Sequence, residues 1–250
     1  MSDLKKKVAL VTGAGSGIGQ AVARLYAKNG ARVMVSDVND AGGEQTVAQI
    51  RQAGGEASFF HADVSKPEAC EALVQETVKK YGQLDMACNN AGIGGPANLT
   101  GEYPVDGWQQ VIDINLNGVF YCMRYEIPAM LARGGAIVNM ASILGRVGFA
   151  TASAYVAAKH GVLGLTKTAA LEYAQQGIRV NSVGPAFIHT PMIAGLEADP
   201  DTENLLVSLH PMGRLGESDE VAELVIWLSS DQASFVTGSY YPIDGGYLAQ

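Results

Sequence analysis

Lys7-Val-Ala-Leu-Val-Thr-Gly-Ala-Gly-Ser-Gly-Ile-Gly19 joins a short apolar run to a glycine-rich turn, and an amphipathic stretch over 17–28 begins inside that turn. A short apolar run that stops at glycines reads as a buried strand, and the period that follows reads as a helix. The alternation continues outward from here. Arg32–Asp37, Glu56–His61, Leu84–Asn89, Ala136–Ala141, Ile178–Val183 and Tyr240–Ile243 read as further strands. Amphipathic stretches near 40–53, 67–81, 103–131, 153–175 and 217–230 separate them. Strands spaced by helices mean βαβ units with right-handed crossovers and a parallel sheet. The expected fold is a three-layer α/β doubly wound sheet of the Rossmann type, in strand order 3-2-1-4-5-6-7. Residues 1–250 are expected to form a single domain.

The glycine turn is the first candidate site. Gly13, Gly17 and Gly19 spell G-x-x-x-G-x-G, not the usual dinucleotide pattern G-x-G-x-x-G. Glycines between a strand and a helix let the backbone turn sharply and approach a pyrophosphate. The helix N-terminus then meets the anion with free N–H groups and the positive end of its dipole. Gly13, Ser16, Gly17, Ile18 and Gly19 are therefore candidate cofactor contacts. No G-x-x-x-x-G-K-[ST] run occurs, which argues against a P-loop triphosphatase. Asp37 ends the second strand, 24 residues after Gly13. A carboxylate there can accept hydrogen bonds from ribose hydroxyls and would repel a 2′-phosphate. Neither Ser16 nor Val38 offers a compensating base, so the expected cofactor is NAD(H).

Composition excludes several classes. Hydrophobic residues make up 48% and charged residues 17% of the chain, the balance of a soluble globular protein. A formal net charge of −8 repels phosphate backbones and anionic membranes, so neither nucleic acid nor membrane is an expected partner. No apolar run reaches the roughly 18 residues that a membrane span needs. Cys70, Cys88 and Cys122 are odd in number and widely spaced, with no metal-ligand pattern; no metal is expected. Together with a first segment lacking a signal-peptide core, they point to the reducing cytoplasm.

Tyr155-Val-Ala-Ala-Lys159 puts a phenol and an ammonium on one face of a helix. A nearby cation stabilises tyrosinate and lowers the phenol pKa, so the pair can pass a proton to a carbonyl or take one from an alcohol. Ser142 lies just past the fifth strand, Asn89-Asn90-Ala91-Gly92 follows the fourth, and Asn115 lies in the long helical stretch between.

With the glycine run, Asp63, Asn181 and Thr190 around a Pro185 turn, Gly238, and Asp244-Gly245-Gly246, this ordered set resembles the short-chain dehydrogenase/reductase family in its short single-domain form. The resemblance covers essentially the whole chain. It implies that Ser142 holds the substrate oxygen, Tyr155 is the acid or base, and Lys159 holds the nicotinamide ribose and tunes the phenol. It implies that Asn115 organises a water relay behind the lysine. It also implies cofactor contacts from Asp63 and Val64 at the adenine, and from Asn89, Ala91 and Gly92 in the crevice. Pro185, Ile188 and Thr190 would serve the nicotinamide end. Relatives often carry Pro-Gly after the sixth strand. Here Gly184-Pro185-Ala186 stands instead, and a locally different turn is expected.

Residues 185–216, rich in proline and glycine, read as a substrate lid anchored by Leu196, Leu205, Leu206, Leu209 and Met212. His189 and His210 within it read as solvated loop residues, and His61 and His160 as structural. Tyr240 and Tyr241 read as packing. Leu144, Phe149, Phe187 and Met192 are candidates for an apolar pocket. The function expected is hydride transfer between NAD(H) and a secondary alcohol or ketone in a homotetramer, the assembly being implied by the resemblance. The rivals are a 3-oxoacyl-carrier-protein reductase, disfavoured by the acidic charge and Asp37, and a catalytically silent NAD-binding scaffold or sensor.

Overall fold

The computed structural model of the protein describes residues 4–250. Seven strands form one sheet: β1 (Val8–Thr12), β2 (Arg32–Asp37), β3 (Glu56–His61), β4 (Met86–Asn89), β5 (Gly135–Met140), β6 (Ile178–Pro185) and β7 (Tyr240–Ile243). The order is 3-2-1-4-5-6-7, and every neighbouring pair is parallel. All five residues of β1 are buried, as expected for a central strand covered on both faces.

Helices α1 (Gly17–Lys28), α2 (Asp40–Gln52) and α9 (Ser218–Ser229) supply the core on one face, through Val22, Tyr26, Val47, Ile50 and Val225. Helices α3 (Pro67–Tyr81), α5 (Gly118–Met130) and α6 (Ser153–Tyr173) supply the other, through Leu73, Met123, Ile127, Val162 and Leu163. The strand order reverses between β1 and β4, and the loops leaving the carboxyl ends of the strands meet there to form the ligand crevice.

Two expected elements differ. The helical stretch 103–131 is not continuous: α4 (Val105–Ile112) passes through a π-helical turn at Asp113–Asn117 into α5. Such turns cluster at functional sites, and Asn115 sits in this one. The segment 185–216 is not irregular either. It carries the short α7 (Ala194–Glu197) and α8 (Pro200–Ser208). Asp199 caps α8, its side chain accepting from the Thr202 amide at 3.2 Å, and Pro200 occupies the first turn. That capping signal is present in the sequence and outweighs the surrounding prolines. The segment's ends are stapled: His189 N donates to Gly216 O at 2.9 Å and Gly216 N donates to Phe187 O at 3.0 Å. No helix among the described residues is long and apolar enough to cross a membrane.

Candidate active site

A groove of about 290 Å³ runs from the end of β2 across the glycine turn. Of the expected cofactor contacts, Gly13, Ser16, Gly17, Ile18, Asp37, Asp63, Val64, Ala91, Gly92 and Thr190 line it. The turn has no room for side chains. Gly13 adopts φ +62°, and a Cβ there would lie 2.8 Å from Ala91 Cα. Asn90 locks the neighbouring loop to this turn, donating from Nδ2 to the carbonyls of Thr12 and Gly13, each at 3.0 Å. Ser16 makes no side-chain cap at α1 and the first turn holds no acidic group, so the helix end suits an anionic diphosphate. At the far end Asp37 accepts from Gly15 N at 2.8 Å and from Asn39 N at 2.9 Å. The residues present therefore fit an adenine dinucleotide.

A second cavity of about 230 Å³ continues from the groove, sharing Ile18, Asn90, Gly92, Thr190 and Met192 with it. Ser142, Tyr155, Lys159, Pro185 and Ile188 line it, as do Leu144, Phe149 and Phe187. Lys159 is the one charged side chain among its described lining residues. Lys159 Nζ donates to Met140 O at 2.7 Å and lies 5.4 Å from the Tyr155 ring centroid. Burial pulls its ammonium down to about 8. Burial also pushes the Tyr155 phenol above its ordinary value, and a hydrogen bond with Ser142 offsets part of that rise. Among the protein's own groups, desolvation thus outweighs the expected depression by the lysine.

Asn115 is fully buried and grips one residue twice: Oδ1 accepts from Ile93 N at 2.9 Å and Nδ2 donates to Ile93 O at 2.8 Å. A Cβ on Gly92 would lie 3.3 Å from Asn115 Oδ1 and 3.7 Å from Lys159 Nζ, so these three residues converge. Ser142 Oγ accepts from Leu144 N at 3.2 Å and donates to Pro185 O at 3.4 Å. The structure therefore gathers Asn115, Ser142, Tyr155 and Lys159 around one crevice.

Residues 13–248 match the family model described as enoyl-(acyl carrier protein) reductase. The chain belongs to the short-chain dehydrogenase/reductase family. Members of this family bind a nicotinamide dinucleotide. The chain is 54% identical to cyclohexanol dehydrogenase from Acinetobacter sp. (strain SE19), over 98% of this chain and 96% of that one. It is 45% identical to cis-4-hydroxycyclohexanecarboxylate dehydrogenase of Sinomonas cyclohexanicum, over 98% and 97% of the two chains. Among solved structures, levodione reductase superposes with a TM-score of 0.95 at 38% identity, covering 98% of both chains. A protein from Agrobacterium tumefaciens described as a 2-deoxy-D-gluconate 3-dehydrogenase, with bound NADP, superposes at 0.91 and 35% identity over 99% and 98%. A neighbour in the family thus holds the phosphorylated cofactor, and the choice for this chain turns on its own groove.

Some sequence expectations need correction within this family frame. Asn89 does not line the crevice. Its side chain is buried on the opposite side of the loop, donating to Glu126 and Asn139, each at 3.0 Å. Asn90, which belongs to the same motif but was assigned no contact, lines both cavities instead. Gly19 also lies outside the groove; a Cβ there would lie 2.2 Å from Gly13 O, so it permits α1 to pack on the turn. Ala186 needs no left-handed backbone, because its amide continues the ladder to Ile243 O at 3.1 Å. Tyr240 does more than pack: its hydroxyl donates to Ser142 O at 3.1 Å, and Arg146 lies over its ring at 5.7 Å, outside the apolar cavity. His210 is not a solvated loop residue. It is 3% exposed and its ring packs on Phe187 and Tyr247 at 5.9 and 5.7 Å. No sequence motif marks Tyr240 or His210, since each acts through tertiary contacts; Asn90 stands in the Asn89–Gly92 motif, but the sequence does not show which of its two asparagines faces the groove.

Proposed function

We propose that this protein interconverts secondary alcohols and ketones carried on neutral, apolar rings, using NAD(H), with Tyr155 as general acid and base. The observation that carries the reading is the junction of two cavities: an apolar pocket holding Tyr155 and Ser142 opens directly into a groove closed by Asp37. A bound nicotinamide ring supplies the hydride acceptor for oxidation and the donor for reduction. Ser142 and Tyr155 hold the substrate oxygen from two sides. In oxidation the Tyr155 oxygen takes the hydroxyl proton; in reduction it returns one. Lys159 holds the ribose and stabilises tyrosinate as it forms, and Asn115 keeps the loop behind the lysine in place.

The cavity's lack of charge beyond Lys159 supports a neutral substrate, because a carboxylate buried there would lack a partner of its own. The cyclohexanol dehydrogenase relative acts on such a ring by its name. The relative named for a hydroxycyclohexanecarboxylate acts on a charged one. Cofactor contacts are assigned to Gly13, Ser16, Gly17, Ile18, Asp37, Asp63, Val64, Ala91, Gly92, Pro185, Ile188 and Thr190. The whole chain serves as one catalytic domain, with 185–216 as its lid.

A homotetramer is supported by the exposed apolar side chains Val105, Trp108 and Phe120 on α4 and α5 and Leu171 on α6, which pairing of these helices between copies would cover. Three buried free thiols support a reducing compartment such as the cytoplasm. The deciding assay follows NADH formation with cyclohexanol and with 4-hydroxycyclohexanecarboxylate. Turnover with the neutral alcohol well above that with the carboxylate is expected. Equal turnover, or none with any cyclic alcohol, would overturn the reading.

A further inference from the structure

Glu126 on α5 is fully buried, in the layer between the sheet and helices α5 and α6. Its carboxyl receives one hydrogen bond, from Asn89 Nδ2 to Oε2 at 3.0 Å. The same Asn89 nitrogen donates to Asn139 Oδ1 at 3.0 Å, and Asn139 Nδ2 donates to Thr166 Oγ1 at 3.0 Å. Two oxygens in this cluster, Glu126 Oε1 and Asn89 Oδ1, are buried without a hydrogen-bond partner. No cation pairs with Glu126 among the described residues. The titratable groups that feel it are Cys122 on α5, Cys88 on β4 and, across the sheet, Tyr26 on α1; Cys70 on α3 touches Cys122. Each of these groups is neutral or anionic, so none can compensate a buried negative charge.

We propose that Glu126 works as a neutral carboxylic acid, closing a two-bond acid–amide ring with Asn89 that positions the end of β4. Oε1–H donates to Asn89 Oδ1, while Asn89 Nδ2–H donates to Glu126 Oε2. One proton on Oε1 satisfies both stranded oxygens at once. A carboxylate would leave both bare, each in a site where an unmade hydrogen bond is expensive. Burial pushes the carboxyl up to about 7, in the same sense.

The ring matters because of what it joins. Asn89 precedes Asn90 and Ala91, which line the groove; Asn139 lies three residues before Ser142; Thr166 lies on α6 seven residues past Lys159. The cluster thus ties the three elements that carry the crevice. Glu126 touches none of the reacting groups and is a positioning residue.

The sign of the pH dependence follows from the proton count. The folded chain holds the Glu126 proton more tightly than the unfolded chain does. Stability from this group is therefore full below the ordinary carboxyl range, falls as pH rises towards about 7, and levels off above it. The unfolding constant is expected to rise by about two orders of magnitude across that window. Glu126→Gln keeps a donor and an acceptor in the same places without a proton to lose. Denaturant titrations from pH 5 to 8.5 should find the variant level with wild type at pH 5 and more stable at pH 8.5. Glu126→Leu should be less stable at pH 5, having lost the ring.

A second measurement needs no variant to fold. Infrared spectra of wild type labelled with ¹³C-glutamate should show an isotope-shifted protonated-carboxyl band at pH 6 that disappears by pH 9. In steady-state kinetics, the cofactor KM of wild type should rise over the same window, while that of Glu126→Gln stays flat. A Gln variant less stable than wild type at pH 8.5, or no such band at pH 6, would overturn the proposal. The stability and infrared readouts do not depend on the assigned activity.

Discussion

The Gly15 amide donates to Asp37 Oδ2 at 2.8 Å, so the carboxylate closing the adenosine end of the groove is tied to the glycine turn that opens α1. Charge selection and turn geometry are therefore coupled through one side chain. A 2′-phosphate approaching this carboxylate meets like charge, and Val38 beside it, 59% exposed, offers no cation. NADH is expected to give a higher kcat/KM than NADPH. Asp37→Ser with Val38→Arg should narrow or invert that ratio. The double variant should also lose about 1–3 kcal/mol of stability, because Gly15 N–H loses a charged acceptor. Kinetics with both cofactors and a denaturant titration check the two halves; a wild type that prefers NADPH would show the reading of Asp37 to be wrong.

Tyr155→Phe keeps the ring in the cavity and removes the hydroxyl. We expect kcat to fall by roughly 10²–10⁴-fold with cofactor affinity little changed. Burial raises the phenol and lowers Lys159 to about 8, so the two proton affinities are driven apart, with the ammonium the more acidic of the pair. Alcohol oxidation needs the phenolate and should accelerate as pH rises; ketone reduction needs the phenol and should slow. Lys159→Met removes the cation 5.4 Å from the ring and should move both limbs to higher pH. Unshifted pH–rate profiles in that variant would count against the pairing.

Asn115 holds both polar groups of Ile93, so Asn115→Leu strands an N–H and a C=O together. A loss of about 1–3 kcal/mol is expected for such stranded groups. The loop they anchor carries Gly92 into both cavities, so kcat should drop as well. Asn115→Asp retains an acceptor for Ile93 N and should fall between the two. Thermal melts and turnover measured on the same preparations test this, and an unaltered melting temperature would mean the clamp is dispensable.

The strands and their order were legible because buried parallel strands are short, apolar and glycine-terminated, and β2 and β3 match their expected bounds of Arg32–Asp37 and Glu56–His61. Asn115, Ser142, Tyr155 and Lys159 could be singled out because their order along the chain resembles the family's motif set, and the structure places Ser142, Tyr155 and Lys159 in one cavity with Asn115 beside Gly92 at its edge. What stayed hidden depends on side-chain direction across long sequence gaps. Asn89 and Asn90 are adjacent and chemically identical, yet one faces Glu126 and the other the groove. The break at Asp113–Asn117 was invisible because a π turn adds one residue without disturbing the apolar content of the helix.

The last prediction concerns the segment 185–216. Its expected apolar anchors divide: Leu206 is buried, whereas Leu196, Leu205 and Met212 are 43%, 59% and 65% exposed. Few buried contacts therefore hold it, while the pairing of residues 187–189 with Gly216 fixes where it leaves and returns. Met192, Ile193 and Leu196 face the apolar cavity, so closure over a ring would bury surface that is open now. The inner wall is firmer, since Phe187 packs on Phe149, His210 and Tyr247 at 6.0, 5.9 and 6.4 Å. We expect fast amide exchange across 192–209 in the free protein and slower exchange once cofactor and a ketone analogue are bound. Phe187→Ala and Leu196→Ala, at positions that line the apolar cavity and not the groove, should raise KM for cyclohexanol several-fold and leave the cofactor KM near wild type. Hydrogen exchange that is equally slow in both states would remove the lid, and a cofactor KM that rises as much as the alcohol KM would remove the division of labour between the two cavities.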